Sequence, residues 1–148
     1  MNPWVKALSL AATVGGGLIA GTFFIFSVVI MPVLAKGSAD QGIQMMRSIN
    51  EVILRSPFMP VFGATALISL ILPFMAGLQR SPLTLAACLL FLVGVFGVTM
   101  FGNVPLNDQL MVNKGVWPTY LSVWTLWNHV RTIAGIVSMS LLILALRD

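Results

Sequence analysis

The chain has 148 residues, 58% of them hydrophobic and 8% charged, with a mean hydropathy of +0.98. A soluble domain carries about 25% charged residues, so this composition excludes an ordinary water-soluble globule and a disordered segment. The formal charge of +4 does not point to a nucleic-acid module, because the eight Lys and Arg are scattered without a basic block. One cysteine, Cys88, excludes an internal disulfide framework, and with His129 the only histidine no His/Cys-rich metal cluster fits within a single chain. No metal site and no nucleic-acid partner are expected.

A bilayer core about 30 Å thick is crossed by roughly 20 apolar helical residues. Charge-free runs of 29, 24 and 27 residues occupy positions 7–35, 56–79 and 81–107, and a run of 15 follows Arg131. The last is too short alone, but Tyr120 to Trp127 extends it backwards. The sequence therefore predicts one all-α transmembrane domain over residues 1–148, a four-helix bundle with spans near 5–34, 58–79, 83–103 and 118–146. The first run is about twice the length of a signal-peptide core and reads as a retained span. Gly17 and Gly21 on it have the small-xxx-small spacing of close helix packing, either inside the bundle or at a dimer face.

Between the first two spans, Ser38 stands three residues before Gln41 in a capping-box spacing. Ile43, Met46, Ile49, Val52 and Ile53 then recur at helical intervals. This predicts an amphipathic helix near 38–54 lying at the membrane interface. Pro57 and Pro60 restart the chain as the second span, a tight turn at Gln79-Arg80-Ser81-Pro82 makes spans two and three antiparallel neighbours, and Pro105 is expected to end the third. An even number of spans puts both termini on one face with Lys6, Arg80 and Arg147. Lys36, Arg47, Arg55 and Lys114 lie on the other, and the positive-inside rule leans toward that second face as the cytoplasmic one.

The unusual polar residues gather on this second face. Asn50 and Glu51 come from the amphipathic helix, with Arg47 and Arg55 at i, i+4 spacing around Glu51. Asn103, Asn107 and Asp108 come from the end of the third span. Trp117, Tyr120, Trp124, Trp127, Asn128, His129 and Arg131 come from the start of the fourth. Counting back from Leu146 at 1.5 Å per residue puts Arg131 roughly 22 Å along the fourth span, about 8 Å inside the core. A charge there costs about 2–3 kcal/mol on insertion scales and should face the bundle or a wet cavity. Glu51 is its expected partner. Tyr120, Trp124, Trp127, Asn128, Arg131 and Gly135 follow the spacing of one helical face. The aromatics read either as an interfacial belt or as a pocket wall, and Cys88 reads as core.

Four segments together resemble the anthrone oxygenase-like family of small four-helix membrane proteins. They are Gly21-Thr22-Phe23-Phe24-Ile25-Phe26-Ser27 with Met31-Pro32; Ile49-Asn50 before Pro57-Phe58-Met59; Asn103-Val104-Pro105-Leu106-Asn107; and Trp124-Thr125 with Trp127-Asn128-His129-Val130-Arg131-Thr132. The resemblance covers nearly the whole chain. It implies an integral membrane bundle and, for some fungal members, oxidation of polyketide anthrones to anthraquinones by molecular oxygen with no metal or flavin, so no cofactor is expected. Such a reaction needs a base, a donor for the developing oxyanion and an aromatic slot. His129, Glu51 and Arg131 are the candidate catalytic residues. Asn50, Asn103, Asn107, Trp124, Trp127 and Asn128 are the candidate substrate-binding residues.

Three functions remain open from the sequence: a cofactor-free oxygenase acting on lipophilic anthrone- or quinol-like aromatics, a non-catalytic binding or carrier protein for such a ligand, and a structural membrane protein. The expected partners are the lipid bilayer and a lipophilic small molecule, with a homo-oligomer open. For a bacterial chain the expected location is the cytoplasmic membrane.

Overall fold

The computed structural model describes residues 2–77 and 82–147. Among them the chain forms five long helices and no strand: α1 (Pro3–Lys36), α2 (Ala39–Arg55), α3 (Phe58–Ala76), α4 (Pro82–Val112) and α5 (Lys114–Ala145). All but α2 are long and apolar enough to cross a membrane. Gln79, Arg80 and Ser81 of the expected α3–α4 turn lie outside the described residues.

Local chemistry marks the helix ends. Asn2 Oδ1 accepts the Trp4 N–H at 2.9 Å, with Pro3 in the first turn of α1. Ser38 Oγ caps α2 by accepting the Gln41 N–H at 3.3 Å, and Ser56 Oγ accepts the Phe58 N–H at 3.2 Å at the start of α3. Gly77 ends α3 with φ 82°, a left-handed conformation open to glycine. Only Asn113 separates α4 from α5. It is extended, and its side chain accepts the Gly115 N–H at 2.8 Å.

The spanning helices pack as a closed ring, with α1 against α3, α3 against α4, α4 against α5 and α5 back on α1. The exterior is apolar: Val93, Phe74 and Phe101 are among its exposed large side chains. Ser9, Ser69, Asn103, Asn128, Arg131 and Ser138 are buried. Polar groups inside and hydrocarbon outside is the arrangement a lipid environment favours. Close approach depends on missing side chains. A Cβ on Gly16 would collide with the Met139 side chain, and one on Gly135 would come within 2.9 Å of the Ala20 Cβ. Gly17 and Gly21 do not serve packing inside the bundle: both are exposed, and a Cβ on either would meet open space. Intramolecular packing of α1 falls to Gly15 and Gly16, one helical face away.

Two apolar clusters form. The larger fills the bundle and includes Ile19, Phe23, Phe62, Phe91, Val95 and Ala134. The smaller joins Met31, Ile43, Met46, Leu110, Trp117, Tyr120 and Trp124. The second exists because the helices differ in length. At 1.5 Å per residue α1, α4 and α5 run to roughly 45–50 Å but α3 to only about 28 Å. α3 begins level with Phe23, whose ring is 6.1 Å from that of Phe58. Past that level α2 takes the place of α3. Its Arg47 Nε donates to the Leu110 carbonyl in the last turn of α4 at 2.8 Å, and Asp40 pairs with Lys114 at 2.8 Å. Arg47 is thus tied to a helix end and not to the ladder with Glu51 and Arg55 that their spacing suggests.

α4 does not end near Asn103 but runs nine residues further, to Val112. Its ladder widens into π turns at Leu92–Gly97 and Thr99–Asn103, where the Val104 N–H reaches back five residues to the Thr99 carbonyl. α1 does the same at Phe26–Ile30, where the Met31 N–H reaches the Phe26 carbonyl. In both helices a proline, Pro105 or Pro32, follows two residues after the π segment. A proline has no N–H and its ring crowds the preceding turn, and the wider turn accommodates it without a break.

Packing at α1 makes a graded prediction. Gly16→Leu overfills a closed interface and should destabilise the bundle by about 1–3 kcal/mol, whereas Gly17→Leu should stay within about 0.5 kcal/mol, as read by thermal unfolding in detergent. Equal losses would contradict the packing described. The Asp40 carboxyl is held below its ordinary 3.8 by the Lys114 hydrogen bond and then by its charge. A depressed carboxyl pKa stabilises above the ordinary value and is lost as pH falls through the lowered one. NMR titration should place Asp40 below 3.8 and return it there in Lys114→Ala.

Candidate functional site

The polar residues of the interior occupy one level, between the two apolar clusters. On α1, Ser27 lies between Phe23 and Met31. On α4, Thr99 and Asn103 lie between Val95 and Leu110. On α5, Asn128 and Arg131 lie between Trp124 and Ala134. Two of the π segments carry members of this level, Ser27 in one and Thr99 and Asn103 in another, and a third, Tyr120–Trp124 of α5, adjoins it. π turns recur at functional sites, where they re-aim side chains from the regular helical face.

Arg131 is at the centre, 4% exposed. Its Nη2 donates to Asn128 Oδ1 at 2.6 Å and its Nη1 to Thr99 Oγ1 at 3.2 Å. Its guanidinium carbon lies 3.9 Å over the Phe23 ring and 5.3 Å from the Trp124 ring, a cation–π setting worth about 2 kcal/mol when desolvated. Its Nε is buried without a partner. Among the described residues no carboxylate pairs with it; the ion pair there is Lys114–Asp40, at the far end of the second cluster. The expected pairing with Glu51 is not made, because Glu51 points outward from α2 and is exposed. The charge is therefore neutralised by no side chain it touches.

The neighbours of Arg131 are fixed in turn. Asn128 is fully buried, and its Nδ2 donates to the Phe23 carbonyl and to Ser27 Oγ, both at 2.7 Å. Asn128 thereby locks α5 to α1 and offers its one carbonyl oxygen to Arg131. Asn103 Nδ2 donates to the Trp124 carbonyl at 3.1 Å, joining α4 to α5. Asn107 Oδ1 accepts two bonds at 2.8 Å, from the Tyr120 hydroxyl and from Trp124 Nε1. Trp117, Tyr120 and Trp124 stack with centroids 5.8 and 5.6 Å apart.

A cavity of about 140 Å³ opens on this network. Its walls come from Thr22, Phe23 and Phe26 of α1, Met46, Ile49, Asn50 and Ile53 of α2, Phe58 and Phe62 of α3, Thr99, Met100 and Asn107 of α4, and Trp124 and Arg131 of α5. It forms where α3 hands over to α2. Its polar wall is small: Arg131, Asn50, Asn107 and two threonines. Asn50 adjoins the Tyr120 hydroxyl, yet its buried Nδ2 makes no hydrogen bond of good geometry. Arg131 Nε is a buried donor without a partner, at a cost of about 1–3 kcal/mol.

The structure divides the expected site residues. Arg131, Asn50, Asn107 and Trp124 line the cavity. Asn103 and Asn128 stand behind it and hold Trp124 and Arg131 in place. Trp127 lies across Gly102 on the outer surface, 38% exposed. His129 and Glu51 are exposed, and neither lines the cavity. Sequence reasoning missed Thr99, Ser27 and Phe23 as partners of the arginine network. A threonine and a serine inside charge-free windows, each a few residues before a mid-span proline, are the signal that marks them.

Fold and site together define a polytopic helical membrane protein with a buried, unpaired cation on the wall of a mostly apolar cavity. The chain belongs to the anthrone oxygenase family, whose sequence model matches residues 51–141, more than half of its length. That match takes in α3, α4 and most of α5 with Asn103, Asn107, Trp124, Asn128 and Arg131. The α1 wall and Asn50 lie outside it. No curated protein and no solved structure matches the chain.

The network predicts a local stability effect. Asn128→Ala leaves Arg131 Nη2, the Phe23 carbonyl and Ser27 without their partner, and should cost about 1–3 kcal/mol. Ser140→Ala, an exposed hydroxyl bonded within its own helix, should change stability by less than about 0.5 kcal/mol. Chemical unfolding in mixed micelles measures both.

Proposed function

We propose that the protein is a membrane-embedded, cofactor-free oxygenase for lipophilic oxy-aromatics of the anthrone or quinol type, with the substrate oxygen held against Arg131. The observation that carries this reading is the buried guanidinium, with no carboxylate among its partners, on the wall of a mostly apolar cavity. A neutral ligand leaves that charge uncompensated, and an oxyanion does not. In a low-dielectric site the attraction is far stronger than in water, and a donor placed in advance at a developing negative charge is the commonest source of catalytic stabilisation.

The chemistry follows from the substrate. An anthrone passes a proton from its activated carbon to solvent and becomes an anion whose charge rests on oxygen, beside Arg131; the same proton later returns to the peroxide. The electron-rich carbon transfers electrons to molecular oxygen and binds it as a hydroperoxide, protonated on its outer oxygen. Loss of the remaining hydrogen on that carbon with cleavage of the O–O bond releases water and leaves the quinone. Anthrone plus oxygen gives anthraquinone plus water, so atoms and electrons balance. Trp124, Phe23 and Phe26 give the substrate an aromatic wall, while Asn128 and Thr99 hold the guanidinium in position.

One observation favours a second reading. The two expected bases, His129 and Glu51, both stand outside the cavity wall, which suits a protein that binds an oxy-aromatic anion without turning it over. Oxygen uptake separates the two. Purified protein given a simple anthrone should consume oxygen above the spontaneous rate, and Arg131→Gln should reduce that excess by about tenfold or more, the equivalent of a charge-assisted hydrogen bond. Saturable ligand binding without uptake would select the second reading. A folded Arg131→Gln protein with full turnover would remove Arg131 from the mechanism.

A further inference from the structure

We infer that Trp124, Tyr120 and Trp117 form an electron relay, which carries an oxidising equivalent from the cavity to the charged end of α5, where a water-soluble thiol reduces it. The inference takes its oxidant from the oxygenase reading of the cavity and adds a second function beside it.

The three rings lie at i, i+3 and i+7 on one face of α5 and stack nearly parallel. Centroids are 5.8 Å apart from Trp117 to Tyr120 and 5.6 Å from Tyr120 to Trp124, with interplanar angles of 14° and 18°. All three are buried. Trp124 is on the cavity wall. Trp117, at the other end, stands three residues from Lys114, whose ion pair with Asp40 is exposed. A second stack leaves the cavity wall toward the bundle, formed by Phe58, Phe62 and Phe96 with centroids 5.8 and 5.6 Å apart. Indole and phenol rings give up an electron far more readily than a phenyl ring. The chain has four tryptophans and one tyrosine; three of these five form the outward stack and none is in the inward one. An oxidising equivalent on the wall therefore has a path in one direction.

The hydrogen bonds suit transfer more than storage. The Tyr120 hydroxyl and Trp124 Nε1 both donate to Asn107 Oδ1 at 2.8 Å. An amide oxygen is a weak base and leaves both protons on their rings. An oxidised ring then stays a cation and is not trapped as a neutral radical. The guanidinium 5.3 Å from the Trp124 ring repels that cation, and each step outward relieves the repulsion.

The oxidant arises from the proposed reaction. When superoxide escapes after the first electron has passed to dioxygen, the carbon radical left behind adds a second dioxygen and becomes a peroxyl radical. Trp124 gives it one electron, which leaves a peroxide anion and a Trp124 radical cation. The anion takes a proton from solvent and becomes the hydroperoxide of the main reaction. The missing electron is passed through Tyr120 to Trp117. There a thiol gives an electron to the ring and a proton to water and becomes a thiyl radical. Peroxyl radical plus thiol gives hydroperoxide plus thiyl radical, and no bond in the three rings changes. The relay spares Met46, Met59 and Met100, which also line the cavity and whose thioethers are open to oxidation.

Flash photolysis of the full chain in lipid nanodiscs tests the relay, with duroquinone as the cavity probe and glutathione as the thiol in the water. Excited duroquinone takes one electron from a neighbouring ring and becomes a semiquinone anion. A Trp4→Phe/Trp127→Phe background leaves no indole or phenol outside the stack. The expected result is a prompt indole radical, lost in Trp124→Phe, whose decay glutathione accelerates. That acceleration should be lost in Trp117→Phe and in Tyr120→Phe, while the prompt radical remains. Acceleration that survives in either variant, or is absent from the start, would overturn the relay and leave the cavity reading standing. A prompt radical that persists in Trp124→Phe would overturn Trp124 as the entry point and the relay with it. No prompt radical in the background protein would overturn the relay together with the reading of the cavity as a quinol-type site.

Discussion

A guanidinium inside an apolar bundle has to be held by dipoles when it is 4% exposed and the described residues give it no carboxylate. The rest of the interior follows from that constraint. Asn128, one turn before Arg131 on the same helix, supplies one carbonyl oxygen to the cation and uses its amide to bind the Phe23 carbonyl and Ser27. The charge is therefore placed by a residue that also fixes the distance between α1 and α5. Thr99 adds α4 to the same set, and its hydroxyl is itself committed to the Val95 carbonyl at 2.7 Å. Removing any one of these changes both the electrostatics of the cavity and the spacing of two helices.

The cavity is a consequence of unequal helix lengths. Four helices of equal length would close over the polar level as they do over Phe91 and Val95. Here α3 starts at Phe58 and the amphipathic α2 covers the gap, and the cavity lies where the two helices hand over, lined by Met46, Ile49, Asn50 and Ile53 of α2 and by Phe58 and Phe62 of α3. The aromatic rings around it, Phe23, Phe58 and Phe62, pack on one another with centroids about 6 Å apart, which keeps the space open from the bundle side.

Most of the architecture was legible from charge-free runs, because a membrane span is specified by length and composition more than by pattern. The level of the polar network was legible for the same reason: polar residues from three distant segments fall at matching distances along their spans. Direction around each helix was harder to read. Grouping by depth placed His129 with Asn128 and Glu51 with Asn50, yet neighbours on a helix point about 100° apart, so one of each pair faces in and the other out. The prolines misled in a different way. Pro105 reads as a terminator only if the ladder stays α-helical. The π turn ahead of it lets α4 continue and changes which residues face Arg131, and nothing in a regular 3.6-residue period announces that change.

A site with a cation and without a base among its lining residues raises the question of how a proton would leave. How strong an acceptor the proton needs depends on how stable the anion is where it forms. Beside an unpaired guanidinium the anion is the favoured partner: at 4 Å the attraction is about 4 kcal/mol even with an effective dielectric of 20, and each 1.36 kcal/mol is one unit of acidity. An activated aromatic C–H or phenolic O–H entering such a cavity becomes a stronger acid by electrostatics alone. Its proton then passes to solvent, and Asn107 and Asn50 form the polar edge of the cavity. The same charge that makes the empty cavity costly to fold is therefore the property that would select an acidic oxy-aromatic over the neutral lipids surrounding it.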